Sequence, residues 1–196
     1  MRKHGKLIQG VGINDAGYST TVVKDNKVIF KCPYYKRWSD MLKRCYSSNY
    51  HESRPTYKDC SVSEEWLTFS NFKVWMEAQD WEGKHLDKDI ISEGNRVYSC
   101  ENCVFIHPLI NNFTLTSSAT RGEYLLGVFK EKGRDSFRVN CCSPFSKKCE
   151  KLGSFSTELE AHLAWRKRKH ELALQLADSE YVTDERIANA LRTRYL

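Results

Sequence analysis

The sequence predicts an α+β protein: an N-terminal part of helices and small hairpins, and a C-terminal three-stranded antiparallel sheet packed on one long helix. Two observations support this prediction. Short apolar runs separated by turn residues recur over residues 7–31 and again over 124–155, a pattern typical of strands. Apolar residues at helical spacing follow Pro33 and Thr157. A chain of 196 residues is long enough for one or two domains.

The N-terminal elements follow from local signals. Four apolar runs over residues 7–31 predict strands, and Pro33 is well placed to begin a helix. Residues 47–59 are polar and predict a loop. A second helix is expected to begin near Ser63 or Ser70, with Ser70 as a reasonable N-cap. The predicted apolar stripe of the first helix consists of Trp38, Met41, Leu42 and Cys45.

The second half of the chain begins with a short predicted strand at 104–106 and a helix after Pro108. Small polar residues at 114–120 predict a linker. Strands are expected over 124–130, 136–142 and 148–155, and Thr157 with Glu160 forms a capping box for the long helix. The predicted domains are therefore 1–113, the linker 114–120, 121–177, and a helical tail over 178–196.

Charge and cysteine content narrow the function classes. Residues 121–177 hold twelve Lys and Arg against seven Asp and Glu, a net charge of +5, which attracts a polyanion such as nucleic acid. A mildly basic solvated surface is the alternative. No apolar run approaches the roughly 18 residues of a membrane span, so we expect a protein of the cytoplasm, the host cytoplasm if a phage encodes it, with no membrane partner. Eight cysteines then suggest reduced thiols or metal ligands before disulfides.

The C-terminal segment carries a specific pattern. Gly127-Val128 on the first predicted strand is followed by Leu152-Gly153, Phe155, Thr157, Glu160-Ala161 and Ala164-Trp165. This pattern resembles the plant ethylene-response-factor (Apetala-type) DNA-binding domain over residues 121–177, in which the sheet lies in the major groove. The resemblance implies double-stranded DNA as partner. The tryptophans of the plant sheet are absent here, so base specificity does not carry over.

The candidate DNA contacts are basic or amide side chains of this segment. Arg138 and Asn140 are two residues apart, which places them on one face of a strand. Arg can recognise guanine and Asn can recognise adenine, while lysines suit phosphates. The full set is Arg121, Lys130, Lys132, Arg134, Arg138, Asn140, Lys147, Lys148 and Lys151.

The N-terminal part carries a second pattern over residues 33–112. Its residues are Tyr35-x-x-Trp38-x-x-Met41-x-x-Arg44-Cys45-Tyr46, Glu65-Trp66-x-x-Phe69-x-x-Phe72, Leu86-Asp87-x-Asp89 and Gly94-Asn95-x-x-Tyr98-Ser-x-Glu101-Asn102-Cys103. They resemble phage HNH-type proteins, many of them homing-like endonucleases, whose strand–strand–helix site holds one divalent metal. The whole chain resembles such proteins with an Apetala-type domain at the C-terminus.

The HNH resemblance implies a site chemistry. Asp87 would be the acidic metal ligand, Asn102 the central amide, and Asn111 or Asn112 the last ligand, with Mg²⁺ or Mn²⁺ as cofactor. Lys88 stands where the family has its histidine base, and a protonated lysine cannot accept a proton. His85, Asp89 or His107 could supply the base instead. An inherited scaffold without chemistry is the alternative.

The cysteines raise a separate hypothesis of a structural zinc. Cys100-Glu-Asn-Cys103 has the spacing of a zinc knuckle, and Cys45 with Cys60 could complete four thiolates. A second Cys-x-x-Cys is missing, so buried free thiols are the alternative.

Together these patterns predict a phage-type DNA endonuclease that nicks or cuts double-stranded DNA by metal-assisted hydrolysis. One alternative is a catalytically inactive DNA-binding regulator. Another is a factor that binds and inhibits a host protein. The oligomeric state is left open by the sequence.

Overall fold

A computed structural model describes residues 7–116 and 122–196 of the chain. The chain is mixed α+β, as the sequence predicts. It divides into two compact units, which we call unit 1, ending at Phe105, and unit 2, beginning at Ile106. The sequence places this boundary after residue 113 instead. Among the described residues, no helix is long and apolar enough to cross a membrane.

Over its described residues, 7–105, unit 1 combines three α-helices and two short 3-10 helices with three two-stranded sheets. Strand β1 pairs antiparallel with β2, β3 pairs in parallel with β5, and β4 pairs with β6, which ends one residue past the unit boundary. The elements are β1 Thr21–Lys24, β2 Lys27–Lys31, α1 Pro33–Tyr46, α2 Ser48–Ser53, β3 Ser61–Val62, α3 Phe69–Glu77, β4 His85–Asp87, β5 Val97–Tyr98 and β6 Val104–Ile106.

The core of unit 1 is built around α1 and α3. The predicted stripe of α1 is confirmed, because Trp38, Met41, Leu42 and Cys45 are all buried. The indole Nε1 of Trp38 donates a hydrogen bond of 2.7 Å to the carbonyl of Trp66, so the polar atom of this buried ring is satisfied.

Several local expectations for unit 1 are wrong. Helix α3 begins at Phe69, near Ser70 as predicted, but its N-cap is Thr68, and Ser70 lies in the first turn, where its backbone N–H and hydroxyl both donate to Asp15. The predicted loop over 47–59 contains α2, whose N-cap is Ser47. Of the strands predicted before residue 14, the structure has only isolated bridges at Ile8 and Ile13.

Unit 2 is a three-stranded antiparallel sheet in the order β7-β8-β9, with α5 packed on one face and α6 packed on α5. The predicted sheet and long helix are therefore confirmed. Thr157 and Glu160 form the expected capping box of α5. The elements are α4 Pro108–Thr114, β7 Val128–Lys130, β8 Phe137–Cys142, β9 Cys149–Phe155, α5 Glu158–Ala177 and α6 Glu185–Thr193.

Alternation along β8 separates the two faces of this sheet. Val139 and Cys141 are buried on the face covered by α5, whereas the alternating residues Arg138 and Asn140 are only half-buried. This two-residue period is what a half-covered antiparallel strand requires.

The expectation of reduced cysteines is wrong at one place. Cys142 and Cys149 are opposite each other in the register of β8 and β9 and form a disulfide. The buried Cys141 beside them has a free thiol. The disulfide thus closes the end of the hairpin from which residues 143–148 emerge.

Candidate nucleic-acid interface and the Asp87 loop

The outer face of the β7-β8-β9 sheet brings three predicted DNA contacts together. Arg138, Asn140 and Lys151 line one concavity of about 480 Å³. Asn140 is opposite Lys151 in the register of β8 and β9, and Arg138 is opposite Ser154. The face therefore presents a guanidinium, an amide and an ammonium group side by side.

Arg138 is held in place by a carboxylate. Its Nη1 donates to Oε1 of Glu131 at 2.6 Å, and Arg134 pairs through its Nε with Oε2 of the same residue at 3.0 Å. A charge-assisted pair of this kind restricts the guanidinium to one direction. The same carboxylate also offsets part of the positive charge of the face.

The remaining predicted DNA residues are spread around this sheet. Lys130 ends β7 with its ammonium group 5.0 Å from the ring centre of Phe137. Lys147 has a positive φ of 57° in the β8–β9 turn. Lys132 and Lys148 are exposed, and Arg121 lies outside the described residues.

In unit 1, Asp87 ends β4 and organises the turn that follows. Its Oδ1 accepts hydrogen bonds from the backbone N–H groups of Asp89 and Ile90, at 3.0 and 2.7 Å. Burial, together with the nearby charge of Asp89, raises the pKa of Asp87. One carboxylate oxygen thus holds the turn.

Lys88 is a buried structural cation. Its Nζ donates to Oδ2 of Asp89 at 3.0 Å and to the carbonyl of Asn95 at 2.9 Å. Burial lowers the pKa of Lys88, but the hydrogen bond to Asp89 and its charge outweigh burial, so the net pKa is raised. Because Lys88 stays protonated near neutral pH, it cannot act as a general base.

Asn95 is a structural amide that sequence reasoning did not single out. Its Nδ2 donates to the carbonyls of Lys88 and Val97, at 2.6 and 2.8 Å. It therefore ties the segment after β4 to the start of β5. The sequence assigned the central amide role to Asn102, which is half-buried in the turn before β6. The Gly94-Asn95 turn dipeptide was the available signal.

The other candidates of the HNH-like site fall in both units. His85 and Asp89 are half-buried in unit 1. In unit 2, His107 is the N-cap of α4: its Nδ1 accepts from the N–H of Leu109 at 3.2 Å, and its ring lies 4.7 Å from that of Tyr181. On α4, Asn111 is half-buried and Asn112 is exposed.

A second cavity of unit 2, of about 510 Å³, is lined by His107, Asn112, Phe113 and Lys169 among others. Lys169 was not predicted to have a role. Its Nζ donates to the carbonyl of Phe113 at 2.7 Å and lies 3.6 Å from the centre of that ring. The ammonium group of Lys169 is thus already bound within the protein, which gives it a structural role.

Three of the four proposed zinc ligands, Cys45, Cys60 and Cys103, are buried, whereas Cys100 is partly exposed. Burial raises the pKa of Cys45 to about 12 and also raises those of Cys60 and Cys103. Cys100 donates to Oε1 of Glu101 at 2.9 Å. Within residues 7–116 and 122–196, no three His, Cys, Asp or Glu side chains are grouped to hold a metal ion.

Comparisons with protein-family models, curated proteins and solved structures find no match to this chain.

Proposed function

We propose that this protein binds double-stranded DNA through the outer face of the β7-β8-β9 sheet. The observation that carries the proposal is the concavity at which Arg138, Asn140 and Lys151 meet. A small antiparallel ribbon fits the major groove, where Arg pairs with guanine and Asn with adenine. Lys151 would neutralise a phosphate. Among the described residues, α5 packs on the face that buries Val139 and Cys141, and Arg138 and Asn140 on the other face stay partly exposed.

The packing of unit 2 supports the Apetala-type interpretation. Gly127 has a positive φ of 80°, and a side chain at this position would overlap the ring of Trp165. These two residues belong to the pattern on which the resemblance is based. Their contact supplies a physical reason for a glycine and a tryptophan at these positions.

The test is a titration of the full-length protein with fluorescent duplexes of random and selected sequence at several salt concentrations. Lys151→Ala should weaken binding to all sequences and lower the salt slope by about 1. Arg138→Ala and Asn140→Ala should also relax the preferred sequence. Lys167→Ala is the matched control, because Lys167 is exposed on α5, which packs on the inner face. Binding that does not respond to salt, or that responds equally to Lys151→Ala and Lys167→Ala, contradicts the proposal.

A second candidate function is HNH-type DNA cleavage by a site that includes Asp87. The observation in its favour is the position of Asp87 at the end of β4, in a turn braced by Lys88 and Asn95. Mg²⁺ or Mn²⁺ suits carboxylate and amide oxygens, and Asp87 would supply one carboxylate ligand. The metal would stabilise charge at the scissile phosphate.

The base would be His85, Asp89 or His107, because Lys88 stays protonated near neutral pH. Relaxation of supercoiled plasmid in Mg²⁺ or Mn²⁺, lost in Asp87→Ala/Asn102→Ala, would support this candidate. Salt-sensitive binding without cleavage in either metal would leave the inactive DNA-binding regulator. A protein with neither property would point to the host-protein alternative.

A further inference from the structure

The β1–β2 hairpin exposes an unusual amount of apolar side chain. Val23, Val28 and Ile29 are 58%, 60% and 61% exposed, and Phe30 is 50% exposed. Every residue of β2 is exposed, so neither face of this ribbon is covered within the described structure. Apolar strands normally bury one face, and a contiguous exposed apolar surface marks an interaction site.

The hairpin closes through a two-residue turn at Asp25 and Asn26. Asp25 and Asn26 have positive φ values of 50° and 58°, as both central residues of a type I′ turn require. This turn matches the twist of the flanking strands. The antiparallel register then sets Val22 opposite Phe30 and Val23 opposite Val28, with an irregularity between the two pairs.

The charges of the hairpin are also unusual. Lys24 is directly opposite Lys27, and like charges in opposed positions destabilise a strand pair. Lys31 adds a third positive charge against the single carboxylate of Asp25. Among the residues that the structure describes, neither Lys24 nor Lys27 has an ion-pair partner. A bound anion would relieve this repulsion.

We infer that the β1–β2 hairpin is a second DNA-contacting element, whose lysines bind phosphates while its apolar side chains enter a groove of the duplex. A two-stranded ribbon has the dimensions of a DNA groove, and exposed apolar side chains can pack on sugars and base edges or wedge between base steps. A second copy of the chain would cover the apolar surface but would bring six lysines together. A polyanion satisfies both the charge and the apolar surface. This inference rests on the proposed DNA binding.

The test uses two variants of the full-length protein. Val23→Thr/Val28→Thr/Ile29→Thr keeps β-branched side chains and removes apolar surface, and it should weaken duplex binding at least tenfold. Lys24→Gln/Lys27→Gln should lower the salt slope by about 2, close to 0.9 for each phosphate that is no longer neutralised. Val74→Thr is the matched control, because Val74 is 68% exposed on α3 and should leave binding unchanged.

The outcomes separate this inference from the proposed function. A parent protein without salt-sensitive DNA binding overturns both. If the parent protein binds DNA and the hairpin variants bind it equally well at every salt concentration, only the inference about the hairpin is wrong. Light scattering on the same samples gives a further decision: if the threonine variant changes oligomeric state while its DNA affinity is unchanged, the hairpin contacts a second copy and the inference is wrong.

Discussion

The backbone of Gly127 lies against the indole ring of Trp165, so closely that a Cβ atom at Gly127 would overlap the ring. Gly127 immediately precedes β7 and Trp165 lies on α5, so this contact fixes the sheet against its helix. The outer face of the sheet, with its candidate DNA contacts, depends on that packing.

Gly127→Ala should therefore destabilise unit 2. A positive φ costs an alanine roughly 1–2 kcal/mol, and overpacking against the indole adds about 1–3 kcal/mol. Gly133→Ala is the matched control, because Gly133 also has a positive φ of 81° but a Cβ atom there would meet no other atom within 4 Å. In denaturant unfolding, Gly127→Ala should lower the free energy of unfolding more than Gly133→Ala does. Equal losses would mean that only the backbone conformation matters.

Glu131→Gln should increase DNA affinity. The carboxylate of Glu131 binds both Arg134 and Arg138 and would repel phosphates on the same face. Removing its charge should tighten binding by about three- to tenfold, on the order of 1 kcal/mol. The control Glu180→Gln changes the net charge equally at an exposed position between α5 and α6. If Glu131→Gln weakens binding instead, the carboxylate serves mainly to orient Arg138.

Local sequence patterns correctly predicted those parts of the fold in which the interacting residues are close together in the sequence. The capping box of Thr157 and Glu160 depends on residues three apart, and the burial of Val139 and Cys141 follows from strand alternation. The predictions failed where a residue interacts with another residue that is far away in the sequence. Ser70 looked like an N-cap, but Asp15, 55 residues earlier, binds its backbone N–H and hydroxyl.

The candidate sites show the same division. Arg138 and Asn140 were predicted to share a face because only their spacing was needed. The role of Lys88 depends on Asn95, a partner seven residues away across a loop, and no spacing rule indicates such a contact. The central amide role of Asn102 came from the resemblance, and the hydrogen bonds of Asn95 to the carbonyls of Lys88 and Val97 were not predicted.

Asp87→Asn should separate the structural role of Asp87 from its proposed metal-binding role. An amide oxygen can accept the same two backbone hydrogen bonds from Asp89 and Ile90, so the folded turn should be retained. Any metal-dependent cleavage should fall by at least a hundredfold because the charged ligand is lost. Asp87→Ala, which removes the acceptor, should in addition lower the free energy of unfolding by about 1–3 kcal/mol. Unfolding curves and plasmid relaxation measure the two effects, and equal stability of both variants would contradict the turn role.

Removing the Cys142–Cys149 disulfide should loosen the end of the β8–β9 hairpin. Closing so short a loop stabilises a protein by about 2 kcal/mol, so Cys142→Ser/Cys149→Ser should lower the melting temperature of the protein. A reducing agent should produce the same shift in the parent protein and no further shift in the double variant. A parent protein that is insensitive to reduction, with both thiols reactive toward a maleimide, would show that the bridge is not formed.

Lys169 should make the stability of unit 2 depend on alkaline pH. Burial lowers the pKa of Lys169 to about 8, whereas a lysine in an unfolded chain titrates near 10.4. Between these values the unfolded chain binds a proton that the folded chain has released, so this group favours folding more as the pH rises. The free energy of unfolding of the parent, minus that of Lys169→Met, should therefore increase from pH 7 to pH 10 by up to about 3 kcal/mol.

Loss of the hydrogen bond to Phe113 shifts this difference at every pH but does not change its slope. Lys167→Met changes an exposed lysine two residues away, so the free energy of unfolding of the parent minus that of Lys167→Met should not change with pH. If this difference depends on pH equally for the two variants, Lys169 titrates as an ordinary lysine.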